Sequence, residues 1–152
     1  MKKFNFKLHP VLKYREHLEN IAKQEYVKAY MDVKTAQEMI LQMEQAFQIL
    51  ADKVDQETIT GISSMMFRQY NDYLDSLESD IELKRKELEQ LQRVQAVKQQ
   101  ALTNKSVAKK VIERLREKKR GEYLEEFQAE EQKRADDIAS LKKAREVSEN
   151  VS

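Results

Sequence analysis

Apolar positions recur at alternating steps of three and four along most of this 152-residue chain. Such spacing lines them up on one stripe of an α-helix with a seven-residue period. The first stripe reads Leu8, Val11, Arg15, Leu18, Ala22, Tyr26, Ala29, Val33, Ala36, Ile40, Met43, Phe47, Leu50 and Val54. Consecutive steps of four around Ala22 predict one stutter, which locally relaxes a left-handed supercoil. A second stripe reads Phe67, Tyr70, Leu74, Leu77, Ile81, Lys84, Leu88, Leu91 and Val94. It drifts on through Val97, Ala101, Ala108, Ile112 and Leu115. Between the two, Thr58-Ile59-Thr60-Gly61-Ile62-Ser63-Ser64 is free of charge and combines β-branched residues with Gly and Ser, so the turn is expected there. Ser63 or Ser64 is a candidate cap for the helix that follows.

Facing residues of an antiparallel hairpin have numbers with a constant sum. Val54 with Phe67, Phe47 with Leu74 and Ile40 with Ile81 each give 121, and Leu50 with Tyr70 and Tyr26 with Val94 each give 120. This register predicts an all-α fold in which two long helices form an antiparallel coiled-coil hairpin with the C-terminal helix overhanging. A single elongated domain is expected over residues 1–152. Helix one covers about 8–57, the turn about 58–63 and helix two about 64–148, with 113–152 as an unpaired overhang. Lys84 is expected opposite Ala36, its stem along the gap and its ammonium outward. Gly121 costs a helix about 1 kcal/mol relative to alanine, which weakens it without having to end it. The overhang carries Leu115, Tyr123, Leu124, Phe127, Ile138 and Leu141. Either another molecule covers this face or the tail frays, since a lone polar helix is marginal in water.

Composition narrows the function classes. Two glycines and one proline cannot punctuate many turns, and 36% charged residues suit long solvated helices. The absence of cysteine excludes a disulfide framework, a thiolate metal site and a cysteine nucleophile. No apolar run exceeds three residues, against about 20 for a spanning helix, so no membrane insertion is expected. The basic opening lacks the apolar stretch of a signal peptide. His9 and His17 are eight residues apart with no ligand spacing around them. No phosphate loop, nucleophile elbow or HExxH motif is present. A non-catalytic protein without metal or cofactor is expected.

Charge is patterned although the net value is only +1. Residues 105–120 carry eight bases and two acids, a local +6, followed by Glu122, Glu125, Glu126, Glu130 and Glu131 with no base among them. These blocks read as a basic and an acidic collar that steer a complementary surface, or as solvated helix faces. Phosphate binding by Lys105 to Arg120 is a further reading, disfavoured by the adjacent acids and the lack of a recognition motif, so no nucleic-acid partner is expected. Met39, Met43, Ala46 and Leu50 lie on one helical face beside the stripe, as do Tyr73 and Leu77 on the other helix. Met39, Ala46 and Tyr73 are too apolar to serve water alone, which suggests a partner contact or peripheral packing.

The opening Phe4-x-Phe6-x-Leu8-x-x-Val11-Leu12-x-x-Arg15-Glu16-x-x-Glu19 resembles the N-terminus of the FliJ family of flagellar type III export proteins. Leu115-Arg116-Glu117-Lys118-Lys119, Glu130-Glu131-Gln132-Lys133 and Asp136-Asp137-Ile138-Ala139 resemble its C-terminal region, Asp137 standing where Glu is usual. The resemblance implies a central-stalk component that organises and stimulates the hexameric export ATPase ring. It also implies contact with the cytoplasmic domain of the membrane export gate and with export chaperones, in the cytoplasm at the inner face of the membrane. Ring contacts are then expected from Phe4, Phe6, Leu8, Arg114, Arg116, Lys118, Lys119, Arg120, Tyr123 and Phe127. Gate contacts are expected from Met39, Met43, Ala46, Leu50, Tyr73 and Leu77. An escort chaperone for exported subunits, or the stalk of a virulence-type secretion system, would carry the same architecture.

Overall fold

The computed structural model describes residues 2–151, and these form two long helices with no strand among the described residues. Helix α1 spans His9–Thr60 and α2 spans Ser64–Val151. Residues 2–8 precede α1 without helical structure. Pro10 sits in the first turn of α1, where a missing N–H leaves no intrahelical bond unmade. The His9 amide donates to the Phe6 carbonyl at 3.1 Å and so closes the entry. Helix α2 runs through Gly121 unbroken.

The turn is shorter than its sequence suggests. Thr58 and Thr60 stay helical because their hydroxyls bond back onto the preceding turn, Thr58 Oγ1 to the Val54 carbonyl at 2.7 Å and Thr60 Oγ1 to the Glu57 carbonyl at 3.1 Å. The chain then leaves α1 through Gly61, whose φ of 100° lies in the left-handed region that side chains avoid. Its amide still donates to the Glu57 carbonyl at 2.9 Å, a common helix ending. Ser63 caps α2: its Oγ accepts from the Met66 amide at 3.2 Å, while its carbonyl accepts from Phe67 at 3.0 Å. Only Gly61, Ile62 and Ser63 lie between the helices, in place of the six residues expected.

This moves the register by about one helical turn. Thr60 and Ser64 are equidistant from Ile62, so facing residues sum to 124 and not to 120 or 121. Burial is compatible with the new register, and Phe67, the expected partner of Val54, is exposed. Val54 mirrors Tyr70, Phe47 mirrors Leu77, Met43 mirrors Ile81, Ile40 mirrors Lys84 and Val33 mirrors Leu91, each buried or half-buried. Lys84 lines one groove with Met39 and Met43 and a second with Ala36 and Met39, so it lies beside Ala36 as expected. A slip of half a heptad exchanges the two apolar positions of the repeat, which are alike here, so periodicity cannot detect it.

The late stripe of α2 also differs. Val94 and Val97 are exposed, Val97 at 65%, and Gln95 and Lys98 are half-buried in their place. Strict alternation of three and four then continues from Tyr70 to Ile112. Reaching Val94 and Val97 from Leu91 would need consecutive threes, which overwind a helix. Opposite stand Ala29 and Tyr26, against which the long polar side chains lay their stems. Lys98 Nζ emerges to meet Glu25 Oε2 at 3.2 Å. Near the start of α1, Leu12 is buried at 2% whereas Leu8 and Val11 are exposed. Leu18 and Glu19 are both half-buried, so the spacing through Leu12, Arg15, Glu19 and Ala22 is regular and needs no stutter.

The chain packs as two units: Leu18–Lys105, and residues 2–17 with 106–151. In the first, the two helices run antiparallel on either side of the turn, bridged by Arg85 Nη2 to Glu44 Oε1 at 2.8 Å. In the second, the N-terminal residues lie against α2 well beyond residue 112. Residues 2–8 are not helical and reach along α2 as far as Tyr123, whose hydroxyl meets the Lys2 carbonyl.

Candidate interaction surfaces

The unit formed by both ends of the chain holds an aromatic site. Phe6 packs inward at the foot of α1, and Phe4 to Leu8 line a groove of about 460 Å³ with Leu115, Lys119, Glu122, Tyr123 and Glu126. The Phe4 and Tyr123 rings lie 5.6 Å apart, tilted at 48°, and Tyr123 stacks on Phe127 at 6.5 Å. The Tyr123 hydroxyl donates to the Lys2 carbonyl at 2.6 Å, so the phenol that would be stranded on an apolar face is satisfied by backbone. Phe4, Phe6, Leu8 and Tyr123 are thus brought together. Leu115 and Tyr123 have a partner inside the chain, although the first register left them without one.

The basic residues Arg114, Arg116, Lys118, Lys119 and Arg120 are exposed and spread around α2. Lys119 pairs with Glu122 at 3.5 Å, whereas among the described residues no ion pair involves Arg114, Arg116, Lys118, Arg120, Glu125 or Glu126. These charges are fully hydrated and free to engage another surface.

The second surface lies on one side of the hairpin in the unit Leu18–Lys105. Met39 and Met43 face Asp80, Leu83, Lys84 and Glu87 across a shallow groove of about 440 Å³. Ala46 continues this side of α1 by helical spacing, and Tyr73 continues that of α2. Met43, Leu50 and Leu77 are half-buried in the seam, while Met39, Ala46 and Tyr73 are exposed. Two exposed residues on this side, Ile49 and Leu83 (64% exposed), escaped the sequence reading. Their signal was available: Ile49 lies ten residues beyond Met39, and Leu83 ten beyond Tyr73, nearly three turns along each helix.

Among the described residues no polar or charged side chain is buried, and no group of three His, Cys, Asp or Glu side chains is placed to hold a metal. At the tip, hydrogen bonding toward the Glu57 carboxylate, together with burial and the carboxylate's charge, raises the Tyr70 pKa. Glu57 Oε2 is shielded there without a hydrogen-bond partner of its own. Hydrogen bonding to Glu44 raises the Arg85 pKa. Both arrangements hold the two helices together and expose no reactive group to a cleft. No helix among the described residues is long and apolar enough to cross a membrane.

The two long helices thus carry exposed charge, shallow grooves and exposed apolar residues. The family of flagellar FliJ proteins matches residues 4–148, and the chain belongs to that family. It is a family of non-catalytic components of flagellar protein export. No curated protein and no solved structure matches the chain.

Proposed function

We propose that this chain is a non-catalytic central-stalk component of the flagellar type III export apparatus. It organises and stimulates the hexameric export ATPase and links it to the membrane export gate. The observation that carries this reading is the convergence of Phe4, Phe6 and Leu8 with Tyr123 and Phe127 on one aromatic site, flanked by unpaired bases, in a chain of the FliJ family. Arg114, Arg116, Lys118, Lys119 and Arg120 meet acidic inner loops of the ring, and the aromatic site supplies the apolar contact. An asymmetric helical pair inside a symmetric ring makes the nucleotide sites inequivalent and couples their states, while the chain itself hydrolyses nothing. Met39, Met43, Ala46, Leu50, Tyr73 and Leu77, extended by Ile49 and Leu83, form the face for the gate's cytoplasmic domain. Export chaperones are further partners, and the chain acts in the cytoplasm at the inner face of the membrane.

The test is ATP turnover by the cognate export ATPase with the full chain, with a chain ending at residue 112, and with Arg116→Glu/Arg120→Glu. The full chain is expected to raise turnover, and the two altered forms are expected to lose most of that effect. Unchanged turnover with the full chain would sink the stalk reading. Binding to unfolded exported subunits through the Met39–Tyr73 face, without any effect on the ATPase, would favour an escort chaperone instead.

A further inference from the structure

We infer that α2 self-associates with a second copy of this chain, antiparallel, about a two-fold axis at Gly121. The charge blocks carry the argument. Residues 106–120 hold seven bases and two acids, net +5, and residues 122–131 hold five acids and no base, net −5. A parallel neighbour would set like charge against like. An antiparallel neighbour sets each block against its complement, with the axis at the boundary between them.

The glycine at that boundary supports the same geometry. Gly121 is helical, and a Cβ built on it would meet nothing within 4 Å, so no turn or close approach inside the chain calls for glycine. It leaves a notch in the helix surface. Leu124, one turn on, is 47% exposed and adds an apolar side chain beside the axis, level with Lys118 of the second copy.

The face is also free. The N-terminal residues occupy the side of α2 marked by Leu115, Lys119, Glu122, Tyr123 and Glu126. By helical rotation, Lys110, Arg114, Gly121, Leu124 and Gln128 lie on the opposite side. With Gly121 on the axis, Lys118 comes within one residue of the level of Glu125 of the second copy and Lys110 within one residue of that of its Glu131, the symmetry repeats both pairs, and the two bases outweigh the one like-charge approach, Glu117 to Glu125. Exposed ion pairs are individually weak, so the association is micromolar or weaker and sensitive to salt. It stands apart from the stalk reading, because it needs only the chain itself, and it would hide Arg114 and Lys118 from any other partner.

Sedimentation velocity on the full chain tests this. Dimer is expected at about 0.05 M salt, with association weakened at least about tenfold toward 1 M. Lys110→Glu/Lys118→Glu and Glu125→Lys/Glu131→Lys should each be monomeric alone and form a heterodimer when mixed. Because the chain has no cysteine, Gly121→Cys should cross-link to itself under mild oxidation. Val107→Cys should not, since antiparallel copies hold those positions about 40 Å apart. A chain that stays monomeric at low salt overturns the inference. So does self-association untouched by the charge reversals, or cross-linking at Val107 as efficient as at Gly121.

Discussion

The hairpin depends on a handful of local bonds around its turn. Gly61 is, among the described residues, the one in a left-handed conformation, and Gly61→Ala is expected to cost about 1–2 kcal/mol because a Cβ clashes with the backbone there, whatever the surrounding space. Ser63→Ala removes the acceptor for the Met66 amide and should cost about 1 kcal/mol. Denaturation by urea, followed by circular dichroism, measures both. Beside the turn, the Tyr70 phenol gives a pH dependence with a definite sign. Its folded pKa is raised by the bond to Glu57, so the folded state holds the proton more tightly than the unfolded chain. That contribution is complete below the unfolded pKa and is lost as pH rises through the folded value. Tyr70→Phe should flatten the alkaline fall in stability, and a titration of melting temperature against pH would reveal it.

At the scale of the elements, α2 presents a choice between an apolar stripe and a regular one. It takes the regular one, leaving Val94 and Val97 in water and placing Gln95 and Lys98 against Ala29 and Tyr26. Gln95→Leu should therefore stabilise the hairpin by about 1 kcal/mol, by burying apolar area where an amide now sits. Val97→Ser should change stability by no more than about 0.5 kcal/mol. A large loss from Val97→Ser would mean that the helices follow the valines after all. Residues 2–8 are held by side-chain contacts, because they have no helix of their own. Removing the hydroxyl in Tyr123→Phe releases the Lys2 carbonyl, and amide hydrogen exchange over residues 3–8 should become faster while α1 is unaffected.

For the whole molecule, the two ends of the chain meet in one unit and the turn-proximal helices form the other. The contacts proposed for the ring and for the gate then fall in separate units. Substitutions at Met39, Tyr73 and Leu83 should abolish binding to the gate's cytoplasmic domain and leave ATPase stimulation intact, as pull-down and turnover assays run side by side would show. Loss of both together would mean that one surface serves both partners.

The helices themselves, their approximate ends, the position of the turn and the absence of catalytic motifs were all legible in the sequence. Each depends on neighbours within a few residues: the three-and-four spacing, Gly61, the Ser63 cap and the charge blocks. That Met39 and Ala46 share a side of α1 was legible for the same reason, since helical period alone sets it, whereas bringing Tyr73 of the other helix beside them needs the register. The register was decided only in three dimensions. Periods of seven match at 120 and at 124 alike, and the choice between them goes with where the two helices end, at Thr60 and Ser64. The docking of Phe4 and Phe6 beside Tyr123 is likewise non-local, for nothing in the spacing of residues 2–8 says which part of a distant helix they will cover. Periodicity is a property of one helix, whereas register and docking belong to pairs of segments, and their energies exist only once the chain has brought those segments together.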